Sequence, residues 1–240
     1  MMRDKLKKEE FFRKSLLFTD ECISQFEKTL SEIMKQDGAN SQRVINGYNA
    51  LLVYYIKKVN LEYSLGVEIS KIKESYERLL TYYSRVWNVE QGYIELVRIL
   101  SLDVLLQIEK SQIEPLENKI RQEKFNDYFV NFLLKAIDKE WEMTTQKFVF
   151  PNLYEDIKLI IEAKDMQERL FLLKDYLENQ WYQIHSETAW HNSHLSKQDT
   201  YYGYWAYEAG AIAKILDLED GDLKGQRYYP FDLVHGIGSQ

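Results

Sequence analysis

Apolar residues recur at spacings of three and four along almost the whole chain, which is the pattern of amphipathic α-helices. Proline and glycine interrupt helices, and both are scarce here, with three prolines and ten glycines in 240 residues. No segment shows the alternation of apolar and polar residues that marks a half-buried strand. We therefore predict an all-α fold, a multi-helix bundle in which two helical lobes pack into one body.

The apolar stripes also place the individual helices. A helix is predicted to begin at Pro115, because proline suits the first turn of a helix. A helix near the C-terminus is predicted from Gly203 to Leu216, following a run of aromatic residues. The full set of predicted helices covers residues 4–35 (one or two helices), 42–63, 69–86, 90–110, 115–139, 153–163, 166–180 and 203–216.

Charge is distributed unevenly along the chain. Residues 1–121 contain 19 Lys/Arg and 18 Asp/Glu, whereas residues 122–240 contain 12 Lys/Arg and 20 Asp/Glu. This shift predicts an N-terminal helical domain over 1–121 and an acidic C-terminal helical domain over 122–240. An acidic domain repels phosphate backbones, so nucleic-acid binding is not expected, and it attracts a basic protein. A surface that is acidic only for solubility is the alternative.

The cysteine content and the N-terminus indicate a cytoplasmic protein. A single cysteine, Cys22, permits no intramolecular disulfide, which fits a reducing compartment, and its apolar neighbours predict a core position. The N-terminus is charged throughout and lacks the apolar core of a signal peptide. The most apolar stretch, residues 99–108, is too short to span a membrane.

Histidine and glutamate residues raise one catalytic possibility. His191 and His194 are three residues apart, which would place them on one face of a helix, and Glu187 lies four residues before His191. A metal-dependent helical hydrolase that uses His191, His194 and Glu208 is therefore an alternative. The zincin pattern His-Glu-x-x-His is absent, so a hydrogen-bonded structural role for these histidines is favoured and no cofactor or metal is expected.

Residues 217–222 carry four carboxylates, those of Asp217, Glu219, Asp220 and Asp222. The run does not fit an EF-hand, because Asp222 stands at the sixth position, where that loop requires glycine. The pattern fits the C-terminal turn of a helix, with Gly221 at a positive φ. It also fits an acidic knob that meets a cationic partner. The residues predicted to contact a partner protein are Glu187, Asp217, Glu219, Asp220, Asp222 and Asp232.

The helix predicted over 203–216 is rich in small residues, which permit close approach of neighbouring helices. Trp205 is predicted on its inner face, and Glu208 at the flank of that face as a poorly solvated carboxylate. Burial would raise the pKa of such a group. A structural tie between helices is favoured over a general base for Glu208. The residues predicted to form the structural core motif are Tyr204, Trp205, Glu208 and Tyr229.

Two of these stretches carry a resemblance to a known family. The run from Tyr202 to Ile215, Tyr-Gly-Tyr-Trp-Ala-Tyr-Glu-Ala-Gly-Ala-Ile-Ala-Lys-Ile, and the run Tyr-Tyr-Pro-Phe-Asp-Leu-Val at 228–234 resemble the C-terminal domain of PoNi-type immunity proteins. The opening Met-Arg-Asp-Lys-Leu at 2–6 is similar to the N-terminal domain of the same family. Gly210 departs from the pattern, where alanine is expected, and its small size leaves the packing argument intact.

The resemblance implies a bacterial immunity protein that is all-helical and not an enzyme. Such a protein binds and neutralises a cognate polymorphic toxin, typically a DNase, and so protects the producing cell in interbacterial competition. The expected partner is a basic nuclease domain, with no nucleic acid and no membrane bound directly. A homodimer is compatible with the sequence.

Overall fold

The computed structural model describes residues 1–236, and every regular element in that range is helical, which confirms the all-α prediction. None of these helices has the length and apolar character that crossing a lipid bilayer requires. Short 3₁₀ segments occur at Val89–Gln91, Ser193–Leu195 and Asp220–Leu223, and a π-helix at Tyr176–Gln180. The α-helices are α1 (Glu9–Asp37), α2 (Gln42–Leu65), α3 (Ile69–Val86), α4 (Tyr93–Leu106), α5 (Lys110–Gln122), α6 (Tyr128–Ile137), α7 (Pro151–Glu162), α8 (Met166–Asp175), α9 (Trp181–Ile184), α10 (Tyr207–Ile215) and α11 (Phe231–His235).

The described chain forms two compact units, each drawn from several segments. Unit 1 contains Met1–Asn88, Ser111–Arg121 and Asn192–Gly203, and unit 2 contains Val89–Lys110, Gln122–His191 and the described residues 204–236. The difference in net charge between the two units is larger than the difference between the two halves of the sequence. Unit 1 has 18 Lys/Arg and 15 Asp/Glu, whereas unit 2 has 13 Lys/Arg and 23 Asp/Glu.

Unit 1 is built on three consecutive helices, in which α1 packs on α2 and α2 packs on α3. Short turns connect them, as in antiparallel helical hairpins. The side chain of Ser41 caps α2 by accepting a hydrogen bond from the Val44 amide at 3.3 Å. One side chain departs from the sequence prediction: Cys22, predicted in the core, is only half-buried.

The N-terminal segment is held against the end of α2, which gives a structural reason for the Met-Arg-Asp-Lys-Leu opening. The Arg3 guanidinium donates hydrogen bonds of 3.1 Å to the backbone carbonyls of Tyr63 and Val67. The Asp4 carboxylate accepts a hydrogen bond from the hydroxyl of Tyr201. At Gly66, where φ is +80°, an added Cβ would lie 1.9 Å from the carbonyl oxygen of Met1, so only glycine fits there.

In unit 2, α10 packs against α4 and α11. Ala209, Ala211, Ile212 and Ala213 of α10 are buried, as the small-residue pattern predicts. The Lys214 ammonium donates a 2.8 Å hydrogen bond to the carbonyl of Leu105, one of the last carbonyls of α4 that have no partner within their own helix.

The helix predicted over 115–139 is in fact two helices, α5 and α6. Pro115 lies inside α5 rather than in its first turn. The chain breaks at Lys124, where φ is +52°, and Asp127 caps α6 by accepting hydrogen bonds from the amides of Phe129 and Val130 at 2.9 and 3.0 Å. The same carboxylate accepts a hydrogen bond from the Tyr93 hydroxyl, so this cap also joins α6 to α4.

Two other helix predictions differ from the structure. The helix predicted over 166–180 ends as α8 at Asp175, and a π-helix replaces its last turn before α9 begins at Trp181. The helix predicted to begin at Gly203 begins as α10 at Tyr207. Trp205 therefore precedes the helix and is half-buried rather than on its inner face.

Gly210 is the position where α10 comes closest to its neighbours. An added Cβ would lie 2.6 Å from Cγ of Pro230 and 3.3 Å from a methyl group of Val234. Glycine at this position therefore keeps the close approach that the small-residue pattern predicts, whereas the alanine expected from the family pattern would collide with the Pro230 ring.

We predict that Gly210→Ala destabilises the protein by about 1–3 kcal/mol, because overpacking outweighs the gain in helix propensity. The matched control is Gly221→Ala, since nothing lies within 4 Å of a Cβ at Gly221 and its φ is not positive. The control should leave the free energy of unfolding unchanged or slightly raised. Urea denaturation of both variants measures the difference, and equal midpoints would contradict the collision.

Candidate functional site

Five of the six carboxylates predicted to meet a partner are exposed, and all five belong to unit 2. Glu187 lies in the turns after α9, and Asp232 lies in the first turn of α11. The other three surround the end of α10 and the 3₁₀ segment that follows it. These five exposed carboxylates, which we call the acidic surface residues, are Glu187, Asp217, Glu219, Asp222 and Asp232.

Asp220, the sixth carboxylate predicted to contact a partner, does not belong to that surface. Its side chain is buried, with 1% of its surface exposed. One carboxylate oxygen accepts a hydrogen bond from the Tyr229 hydroxyl, and the other lies 2.7 Å from Nε2 of His235. Asp220 therefore connects the 217–222 segment to the segment that carries α11, and a partner could reach it only if this connection opened.

The turn after α10 uses a different residue from the one predicted. Asp217, with φ at +50°, takes the left-handed position that was assigned to Gly221. The Leu218 amide donates a 3.0 Å hydrogen bond to the carbonyl of Ala213, and the Asp217 amide donates to the carbonyl of Lys214 at 3.4 Å. This is the Schellman pattern of helix termination, with aspartate where glycine is commonest.

Glu208 is buried at the start of α10, with 5% of its surface exposed. Burial raises the pKa of this carboxyl to about 7, and a 3.0 Å hydrogen bond from the Tyr176 hydroxyl opposes the shift only in part. Nearby, the Tyr154 hydroxyl lies 3.2 Å from Nε2 of His185, and burial lowers the pKa of His185 to about 4. Glu208 thus joins α10 to the π-helix, as an internal tie would.

The remaining residues of the predicted core motif are aromatic. Tyr204 and Tyr229 are buried, as a core role requires. The Ala206 amide donates a 2.9 Å hydrogen bond to the carbonyl of Tyr228, so the two halves of the motif are joined through their backbones. The motif is therefore the internal scaffold of unit 2, and the acidic surface residues lie outside it.

The residues on which the hydrolase alternative depends, His191, His194 and Glu208, do not form a metal site. His191 lies in a turn and His194 in the 3₁₀ segment, so they do not share a helix face. Within residues 1–236, no group of three or more His, Cys, Asp or Glu side chains is arranged to hold a metal ion.

A group of stacked aromatic residues in unit 2 was not predicted from the sequence. The Tyr182 ring lies 4.1 Å from the His191 ring and 5.5 Å, nearly parallel, from the Tyr228 ring. The Arg227 guanidinium lies over the Tyr228 ring at 5.0 Å. We call these four residues the aromatic stack. No sequence pattern predicts the stack, because residues 182 and 228 are brought together only by the fold.

We predict that Glu208→Gln gains stability relative to the parent as the pH rises. The difference in free energy of unfolding between variant and parent should be larger at pH 8 than at pH 5. Between about pH 4.5 and 7 the folded parent keeps a carboxyl proton that the unfolded chain has released, so its stability falls as the pH rises. The difference between variant and parent should grow from near zero to about 2–4 kcal/mol above pH 7. The comparison with the parent cancels the opposite contribution of His185, which is lost as the pH falls below 6.5.

Chemical denaturation at several pH values measures this difference, with the exposed Glu219→Gln as the control. A constant difference between Glu208→Gln and the parent at pH 5 and pH 8 would show that burial does not raise the pKa of Glu208.

We predict that Asp220→Ala lowers the free energy of unfolding by about 2–4 kcal/mol, because it removes the buried carboxylate that the Tyr229 hydroxyl and the His235 ring both contact. Asp222→Ala, two residues away and exposed, should change it by less than about 0.5 kcal/mol. Thermal and urea unfolding compare the two, and similar losses would place Asp220 on the surface after all.

Comparisons with known proteins place the chain in a family. A family model described as the N-terminal domain of PoNe immunity proteins (PoNi) matches residues 3–118, and one for the C-terminal domain matches residues 125–233. A search of the curated proteins found no match. Among solved structures, the crystal structure of protein PA2201 from Pseudomonas aeruginosa is similar in fold, with a TM-score of 0.70 and 17% identity over 93% of this chain and 86% of that one. Since the two family models together account for nearly the whole chain, this protein belongs to the PoNe immunity protein family.

Proposed function

We propose that this protein protects the cell that makes it by binding a cognate toxin and blocking its activity. The toxin is proposed to be a DNase, and inhibition to occur through a stoichiometric protein–protein complex in the cytoplasm. The family supports the immunity role. The observation that favours a basic, DNA-cleaving partner is the concentration of negative charge in unit 2, which has 23 Asp/Glu and 13 Lys/Arg.

The charge of unit 2 supports this partner for a physical reason. A nuclease needs a basic surface to bind the phosphate backbone of DNA. An acidic protein surface is complementary to such a surface, so it accelerates association and competes with DNA for the same region of the toxin. We propose that the acidic surface residues Glu219 and Asp222, which are exposed on one short segment, take part in this contact.

The role of the buried carboxylates differs from that of the exposed ones. Glu208 and Asp220 accept hydrogen bonds inside unit 2, so they fix the scaffold without offering charge to a partner. Binding is therefore proposed to depend on the exposed acidic residues, and folding on the buried ones. An all-α scaffold with buried ties can hold an acidic surface in a fixed arrangement, which lowers the entropy lost on binding.

The proposal is tested with the product of the adjacent gene, which the proposed function expects to be a toxin with a nuclease domain. One equivalent of this protein should stop cleavage of plasmid DNA by the purified domain, and co-expression should restore growth of bacteria that produce it. If co-expression restores growth but the purified toxin domain alone does not cleave DNA, the immunity role stands and the assignment of the toxin as a DNase is wrong. Failure of both rescue and binding would overturn the proposed function.

We predict that the double charge reversal Glu219→Lys/Asp222→Lys weakens toxin binding at least about tenfold and reduces the dependence of the Kd on salt. The matched control is Glu21→Lys/Glu32→Lys, which changes net charge equally at two exposed positions of α1 in unit 1. Titration calorimetry at two salt concentrations measures both variants. Equal losses would show that net charge, rather than this segment of unit 2, controls binding.

A further inference from the structure

A groove of about 350 Å³ opens beside the aromatic stack in unit 2. The π-helix provides Leu177, Glu178 and Asn179, and α9 provides Tyr182 and Gln183. The opposite side is formed by Gln226, Arg227 and Tyr228. We call it the Tyr228 groove. Its lining is mostly amide, aromatic and charged rather than aliphatic, which is typical of a protein-binding surface and not of a pocket for an apolar small molecule.

Two uncommon backbone features border this groove. Tyr228 has φ at +72°, a conformation that a bulky residue adopts only when the surrounding structure holds it there. The π-helix over Tyr176–Gln180 is a rare element that occurs often at functional sites. Both features determine how side chains are presented to the groove, since one orients Tyr228 and Arg227 and the other orients Glu178 and Asn179.

Arg227 is the exposed cation of the groove. Its guanidinium lies 5.0 Å above the Tyr228 ring, and no ion pair or hydrogen bond to another described residue satisfies it. The carboxylate of Glu178, also in the groove, lies 4.0 Å from the ammonium of Lys174 instead. A guanidinium that packs over an aromatic ring has lost part of its conformational entropy already, so it can bind a carboxylate through two parallel hydrogen bonds at low cost.

The position of this arginine matters because unit 2 is otherwise strongly acidic. Negative charge attracts any basic protein and distinguishes poorly among them. A fixed cation within that acidic environment repels a basic surface that has no carboxylate at the matching position, and this is how unpaired charges create specificity. Amides of Asn179, Gln183 and Gln226 can pair with backbone groups of a loop that carries such a carboxylate.

We infer that the Tyr228 groove receives a loop of the cognate toxin and that Arg227 binds an aspartate or glutamate side chain of that loop. This inference rests on the proposed function, because it assumes that a toxin is the partner. It assigns attraction to the acidic surface residues and selection among related toxins to Arg227.

The test is Arg227→Glu, measured against the matched control Lys224→Glu. Lys224 is also exposed and also lies over an aromatic ring, that of Phe231 at 5.5 Å, but it does not line the groove. Both changes make the protein more acidic by two charges. If attraction between net charges were the whole of recognition, both variants would bind a basic toxin more tightly than the parent.

We predict opposite results for the two variants. Arg227→Glu should raise the Kd for the inactivated toxin domain at least about tenfold, because it places like charges in contact, while Lys224→Glu should leave it unchanged or lower it. Substituting the paired toxin carboxylate with lysine should restore binding to Arg227→Glu and weaken binding to the parent. Thermal unfolding of both variants should match the parent, since neither side chain is buried.

The outcomes separate the inference from the function on which it depends. If the parent binds the toxin and Arg227→Glu binds equally well or more tightly, the groove assignment is wrong while immunity stands. If the parent itself does not bind the toxin domain, the proposed function fails and the inference fails with it.

Discussion

The close approach of α10 to the segment around Pro230 is the contact on which the arrangement of unit 2 depends. It is possible because Gly210 has no Cβ, which would otherwise lie 2.6 Å from the proline ring. The hydrogen bond from the Ala206 amide to the Tyr228 carbonyl fixes the same segment at its other end. Tyr228, whose carbonyl makes this second contact, has a positive φ, and the guanidinium of the preceding Arg227 lies over its ring. A packing requirement in the core thus determines where an exposed cation lies.

The sequence predicted the helical class and most helix positions, because apolar periodicity records which face of each helix is buried. It missed features that depend on local hydrogen bonds. Asp127 ends one helical pattern and starts another, yet the apolar stripe continues across it, so the break at Lys124 was not seen. The π-helix leaves the composition of its segment unchanged. Asp217, rather than Gly221, took the left-handed position because that conformation falls directly after the end of α10.

The candidate site shows a similar limit. Four carboxylates within 217–222 are equivalent in composition, and the sequence offered no reason to separate Asp220 from its neighbours. The fold separates them, because Tyr229 and His235, nine and fifteen residues further on, both reach Asp220. For Glu208 the sequence was more informative, since it is the only acidic residue in a helix of small and apolar residues and such a position implies burial. The aromatic stack depends on contacts between residues far apart in the sequence, which a single sequence does not reveal.

The hydrogen bond between Tyr201 and Asp4 has a consequence for how proteins of this kind diversify. Tyr201 belongs to the C-terminal family domain, and Asp4 to the N-terminal one, yet both side chains are buried within unit 1. A recombination event that exchanged one family domain between relatives would bring together a tyrosine and a carboxylate that had not evolved side by side. Hybrids that lack either residue would lose this buried hydrogen bond, at a cost of about 1–3 kcal/mol, so domain exchange is tolerated best between relatives that share the pair.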